Sequence, residues 1–351
     1  MKCLTPFIVT LVWVFPLSIK GLASPILTFS PIVELPLVHN SLGSNSTMSL
    51  SVFSLNAIVR LEGLNLPNPK TIGQATIPLK LLEGSQVFTL QLNIGGKSGS
   101  FLLDTGASTT MIATTLVQEL GLKGEPISNQ SLAYAVAGDD CPNMNAILHH
   151  LPPLVINQVR VEELRGLEFS TTVIPEELSG VLGIDFLRNF DLQLNPKTRQ
   201  LKLLNPSPLP AESVVEAIPL QSRLGVMLTT VNINGKGPFT FLLDTGADTI
   251  FISKQLANQI KLNNSNRQQI QVQGFCGLED AEVSRLEKVT IHGYEQNNLE
   301  AVILSSPVLD LLQIDGIIGQ SFLNKYQQYW RFNSPAKSGD FEGSLLLVPI
   351  E

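Results

Sequence analysis

The sequence predicts a mainly β protein assembled from two tandem copies of one module. Three observations carry that expectation. The segment FLLDTGA stands at 101–107 and again at 241–247, an identity too long to be accidental. The match continues in register on both sides: ATIPL at 75–79 answers EAIPL at 216–220, and GVLGIDFLRNF at 180–190 answers GIIGQSFLNKY at 316–326. Within each copy the strand-like alternation of apolar and polar residues dominates, and helical patterns are short.

In chain order, Lys2 precedes an apolar run from Cys3 to Ile19 and then GLA at 21–23, the basic, apolar, small order of a secretory signal peptide. A membrane anchor is the competing reading, but 17 residues that include Pro6 and Pro16 are short for a span. Residues 1–23 are read as an export signal, which places the mature chain in a periplasmic, lumenal or extracellular compartment. Residues 24–74, rich in Pro and Ser, are read as a flexible or partly docked N-terminal extension, with a propeptide covering a cleft as the alternative. The first module then spans about 75–204 and the second about 216–349, joined by a linker at 205–215 whose prolines suit a semi-rigid spacer. Inside the modules, VFTLQLNI (87–94) and MLTTVNI (227–233) read as strands running into Gly-rich hairpin turns. Thr114 and Ser253 are expected to cap the helices after the two FLLDTGA segments. Asp185 and Ser321 are expected to cap those after GVLG and GIIG.

Composition narrows the function classes. A chain of 351 residues with 44% hydrophobic content is too apolar to be disordered, and three cysteines are too few for a disulfide-knit mini-domain. The 23 basic residues stand against 30 acidic ones, net −7, with no basic run, which excludes nucleic acid as the expected partner. His39, His149, His150 and His292 show no metal-ligand spacing with the cysteines, so no zinc site is expected. GGKSG at 95–99 lacks the earlier glycine of a phosphate loop, and no Gly-x-Ser-x-Gly elbow occurs. Sequons at Asn45, Asn129 and Asn263 matter only in a eukaryotic secretory pathway.

The chemistry lies in the duplicated acid. A single Asp-Thr-Gly after an apolar strand is most often a turn-former or a helix cap. Two copies that pack about a pseudo-twofold axis can bring Asp104 and Asp244 together, and neighbouring carboxylates cannot both ionise easily. Such a pair holds one proton, so one oxygen can activate a water while another donates a proton.

LLDTGAS with VLG, and LLDTGAD with IIG, resemble the duplicated motif set of aspartic proteases of the pepsin and retropepsin type, over about 75–349. The resemblance implies a bilobal acid-protease fold of two retropepsin-like β-barrel modules related by a pseudo-twofold axis. It implies Asp104 and Asp244 as catalytic dyad, Thr105 and Thr245 bonding across to the opposite loop, and Gly106 and Gly246 permitting close backbone approach. Gly138 and Gly274 would mark the flaps that cover the cleft. Aligning those glycines puts Cys141 and Cys276 near the two flap tips, where a disulfide or two free thiols are both open. The implied protein is a monomeric pseudo-dimer that hydrolyses polypeptide; a catalytically silent peptide-binding scaffold is the alternative. Ala107 and Ala247 stand where pepsin-like loops carry a hydroxyl, so the expected pH optimum is less acidic than pepsin's.

Overall fold

Glycine turns set the first hairpin of each module. Phe88–Ile94 pairs antiparallel with Lys97–Leu103, and the two turn residues, Gly95 and Gly96, have φ of 56° and 86°. Val226–Ile233 pairs in the same way with Lys236–Leu243 through Asn234 and Gly235, at 50° and 75°. Left-handed backbone at both turn positions matches the twist of the strands on either side. Each outgoing strand ends on two buried leucines, Leu102 and Leu103 or Leu242 and Leu243, directly before an aspartate. The GVLG and GIIG segments clamp these ends. Gly180–Leu182 lies parallel to Lys97–Leu103 and antiparallel to Met111–Ile112, while Gly316–Ile318 lies parallel to Lys236–Leu243 and antiparallel to Ile250–Ser253.

The structure, a computed structural model, describes residues 51–53, 57–61, 66–128, 132–136, 145–169, 174–207, 215–263, 267–333 and 341–350. The export segment 1–23, Gly138, Cys141 and most of the linker lie outside the described residues. Residues 48–351 form one compact unit, mainly β, with two β-rich modules.

The modules share more than a linker. Strands Asp191–Asn195, Gln200–Leu204 and Ala75–Pro78 from the first copy continue the sheet of Tyr326–Phe332, Glu342–Pro349 and Ile218–Arg223 from the second. Leu192 sits opposite Trp330 and Trp330 opposite Leu345, all three buried. One apolar core runs through this shared sheet, with residues from Ile77 to Leu347. Two further clusters lie one in each lobe and contain Ala107 and Ala247, respectively.

Of the four expected helix caps, Ser253 stands as expected, its side chain accepting from Leu256 N at 3.0 Å. The other three are corrected. The helix Thr114–Leu120 is preceded by Ala113 as its N-terminal boundary residue, without a side-chain cap. Gly183 and Gly319 occupy that place for Ile184–Leu187 and Gln320–Leu323. Both glycines pass against the Asp loops: a side chain on Gly183 would strike Thr109 and Ala107 backbone, and one on Gly319 would strike Thr249 and Ala247. Steric fit beside the loop therefore overrides capping preference.

The extension is docked at three places. Lys70–Ile72 pairs with Val159–Glu162 in the first lobe, Ala57–Leu61 runs antiparallel to Leu132–Val136, and Ser51–Phe53 runs parallel to Gln268–Gly274 of the second lobe.

Candidate active site

Asp104 and Asp244 are both fully buried where the two lobes meet. The loops that carry them interlock. Thr105 Oγ1 donates to the Leu243 carbonyl at 2.9 Å and accepts from Thr245 N at 3.0 Å. Thr245 Oγ1 returns both bonds, donating to the Leu103 carbonyl at 2.8 Å and accepting from Thr105 N at 3.0 Å. The reciprocity is that of a local twofold axis. Gly106 N and Gly246 N each donate to Oδ1 of the aspartate two residues earlier at 2.7 Å, and the backbone of each aspartate is pinned to Leu182 or Ile318.

The glycines allow the close approach. A Cβ on Gly106 would lie 2.5 Å from Asp244 Oδ1, and one on Gly246 would lie 2.5 Å from Asp104 Cγ. Each carboxylate therefore packs on the bare backbone of the opposite loop. Burial holds the Asp104 carboxyl well above the usual carboxylate range, the charge of Asp244 and hydrogen bonding with it add to the rise, and N–H groups of Gly106 and Ala107 oppose it. Asp104 Oδ2 receives no donor from the described residues, so a proton shared with the partner carboxyl is what can satisfy it.

Replacing Thr105 or Thr245 with valine is expected to destabilise the fold by roughly 2–4 kcal/mol. Each change strands one buried N–H and one buried carbonyl at the lobe junction. Denaturant unfolding measures this, and the double Val variant is expected to lose less than the sum of the singles, because the four bonds form one unit.

Two carboxylates beyond the dyad have long-range partners that the sequence reading did not foresee. Asp185 Oδ1 accepts from Thr110 N, Thr110 Oγ1 and Phe186 N at 2.8, 2.7 and 2.8 Å, tying the GVLG turn to the strand after the Asp loop. Burial raises its pKa from 3.8 to about 6 against those donors. Between the two values the folded state holds the extra proton, so this contribution is full below about pH 4 and is lost as pH rises through 6. Asp185→Asn, which keeps an acceptor oxygen, is expected to flatten that slope. After discounting for its partial exposure to solvent, the gain at pH 7 is about 1–2 kcal/mol, readable from urea unfolding across pH.

Asp248 follows DTGA in the second lobe. Its Oδ1 accepts from Ser85 Oγ at 2.5 Å and Gln86 N at 2.7 Å, both from the first copy, a contact 162 residues apart in sequence for Gln86. A pocket of about 340 Å³ opens beside it, lined by Ser85, Gln86, Ile270, Val283 and Val302 among others. A larger groove of about 620 Å³, bordered by Lys236, Lys261 and Arg285, includes no residue of either Asp loop. Buried Gln320 adds a further support, donating to the Thr245 carbonyl at 2.9 Å.

Gly274 closes the arm Gln268–Gly274 of a hairpin whose turn is Phe275 and Cys276. Both turn residues are buried in the first lobe's cluster with Leu102, Ala107, Met111 and Val181, and not in the cluster of their own lobe. The hairpin thus reaches from one lobe to the other. Cys276 is disulfide-bonded, which excludes a free thiol there; Cys141 and Cys3 lie outside the described residues. No group of three or more His, Cys, Asp or Glu among the described residues is arranged to hold a metal ion.

Residues 90–186 match the family described as aspartyl protease, and residues 229–325 match the family described as gag-polyprotein putative aspartyl protease. A solved retropepsin-like aspartic protease from Rickettsia conorii is 18% identical over 36% of this chain and 90% of that one, with a TM-score of 0.26. No curated protein matches. Each matched stretch holds one Asp-Thr-Gly loop with its partner glycine motif, so the chain carries two tandem aspartyl protease family domains, one in each copy.

Proposed function

We propose that the protein is an aspartic endopeptidase, with one catalytic carboxyl from each lobe. The observation that carries this reading is the buried pair itself: two carboxyls pressed onto opposite Gly-backbone loops, one of them held well above its ordinary pKa by burial and by the other. Buried acids are ordinarily neutralised by a cation, and a like-charged partner is what a shared proton requires.

In the proposed reaction the ionised carboxylate takes a proton from water as the water oxygen bonds to the scissile carbonyl carbon. The protonated carboxyl gives its proton to the carbonyl oxygen, which yields a neutral gem-diol. Collapse breaks the C–N bond as a proton passes to the leaving nitrogen, and the dyad returns to one shared proton. No acyl-enzyme and no cofactor take part. The substrate is an extended polypeptide, bound through its backbone along strand edges and through side chains in alternating pockets. We place the enzyme in an exported compartment, as a monomer, with a Cys141–Cys276 disulfide joining the flap tips; peptide mapping without reductant should recover that cross-linked pair.

The test is cleavage of a mixed peptide library across pH by the wild type, Asp104→Asn and Asp244→Asn. Both variants are expected to be inactive. Activity that survives in either one, or a wild type that cleaves nothing, overturns the reading.

A further inference from the structure

On the reading of the buried pair as a peptidase dyad, we infer that Gln320 breaks its twofold equivalence and fixes the roles within it, with Asp244 the ionised base and Asp104 the acid that carries the proton.

The bonds that hold the two Asp loops come in matched pairs. Thr105 and Thr245 exchange the same two bonds, and Gly106 N and Gly246 N each reach an aspartate Oδ1 at 2.7 Å. The backbone beside the loops is matched as well: Ile184 N donates to the Ala107 carbonyl and Gln320 N to the Ala247 carbonyl, both at 2.8 Å. Ile184 and Gln320 thus hold the same place in the two lobes, and their side chains differ in kind. Gln320 Nε2 donates to the Thr245 carbonyl at 2.9 Å, whereas an isoleucine side chain has no N–H to offer the Thr105 carbonyl. Both residues are buried, so packing is served by an apolar side chain at either place. Gln320 is instead a fully buried amide whose Oε1 has no donor among the described residues, an arrangement that costs stability.

The Thr245 carbonyl and the Gly246 N–H belong to one peptide unit. A bond accepted by that oxygen polarises the unit and strengthens the bond its N–H donates, by roughly 10–30%. The recipient is Asp244 Oδ1. Gln320 therefore favours the charged form of Asp244 through an intervening peptide, and it is a positioning residue. The Gly106 N–H that serves Asp104 gains no such reinforcement from position 184. Asp104 Oδ2, without a donor among the described residues, suits a carboxyl that keeps the proton. Burial and the charge of Asp244 act on Asp104 in the same sense. The other acids on elements packed here are Asp185, bonded to Thr110, Asp248, bonded to Ser85 and Gln86, and Glu279, buried on the hairpin arm Gly277–Ile291. All three are the same in every variant below, so they do not distinguish one variant from another.

Aspartate-selective carbon-13 labelling of the full chain follows the two carboxyl carbons across pH without any catalysis. Each is assigned by the signal that Asp104→Asn or Asp244→Asn removes. In the wild type the larger change at Asp244 is expected in the lower of the pair's two ionisation steps, and that at Asp104 in the upper. Gln320→Met keeps the length of the side chain and loses its N–H. It is expected to raise the lower step by about half a pH unit and to leave the upper one in place, because Asp244 is charged on both sides of the upper step. The acidic limb of the kcat/KM profile for a cleaved reporter peptide should move with it, a loss of about threefold at a pH on that limb. Ile184→Gln supplies the missing donor to the first lobe and is expected to lower the upper step by a similar amount, which keeps the inference testable should Gln320→Met not fold. Asp104 ionising first overturns the inference. So does a Gln320→Met variant whose lower step stays put or whose two steps move together, or an Ile184→Gln variant whose upper step does not fall. A wild type that cleaves no peptide sinks the enzymatic reading alone, and the order of ionisation still decides which carboxyl Gln320 favours.

Discussion

Asp104→Asn and Asp244→Asn are each expected to lower peptide turnover by ~10³-fold or more while raising the melting temperature at neutral pH. The first effect follows from the chemistry: an amide neither takes a proton from water nor returns one, and general acid–base catalysis supplies factors of this size. The second follows from burial. Asp104 is fully buried, its charged form is disfavoured by desolvation and by Asp244, and the two N–H donors only partly offset this. An uncharged amide keeps the acceptor oxygen for Gly106 N and removes the like-charge term. The pH dependence has a fixed sign. Because the folded pKa of Asp104 lies above its ordinary value of 3.8, stability from this group is complete below that value and declines as pH rises. The Asn variants should therefore gain most at the alkaline end, and peptidase activity should fall on that same side as the shared proton is lost. A matched set of melting curves and rate profiles decides it; variants that lose activity and stability together would mark the carboxyls as structural.

Gly106→Ala and Gly246→Ala are expected to be the most destabilising single changes in the lobe junction, at about 3 kcal/mol or more. The added carbon would sit 2.5 Å from an atom of the opposite aspartate, inside any normal contact distance. That aspartate cannot swing away, because its oxygen is held by the Gly N–H of its own loop and the loop backbone by the Thr bonds. Forced overpacking at a rigid site typically costs 1–3 kcal/mol and more where nothing can yield. Activity should fall by ~10²-fold even at temperatures where the variant is folded, since a shift of about 1 Å between the carboxyls is enough. A double change isolates the contact: Gly106→Ala combined with Asp244→Ala should recover most of the lost stability, whereas Gly106→Ala combined with Asp104→Ala should not.

What the sequence made legible was whatever it repeats. FLLDTGA and its flanks announce two equivalent β modules, and the Gly-rich turns at 95–96 and 234–235 fold as hairpins because turn chemistry is local. The reciprocal threonine bonds were expected only through the family resemblance; no spacing within one loop encodes a partner 140 residues away. Helix caps at Asp185 and Ser321 were misassigned because backbone fit against the Asp loops, not capping propensity, sets where those helices start, and Thr114 is itself the first helical residue, after Ala113. Asp248 with Ser85 and Gln86, Gln320 beneath Thr245, and the capture of Phe275 by the opposite lobe are long-range contacts with no periodic signature. The pairings of 51–53 and 57–61 were invisible for the same reason, since a weak strand pattern gains meaning only beside partners that the sequence leaves far apart.

The shared sheet has a consequence for how the protein behaves on dilution. Strands 191–195 and 200–204 of the first copy are woven between Ala75–Pro78 and the final strands of the second. A dyad assembled from two separate subunits exists only in proportion to their association, and mass action dissolves it as concentration falls. Here the halves meet within one molecule, so bringing the two carboxyls together is a unimolecular event. Specific activity should then hold constant from micromolar to picomolar protein, and competence should be lost only when the fold itself is lost.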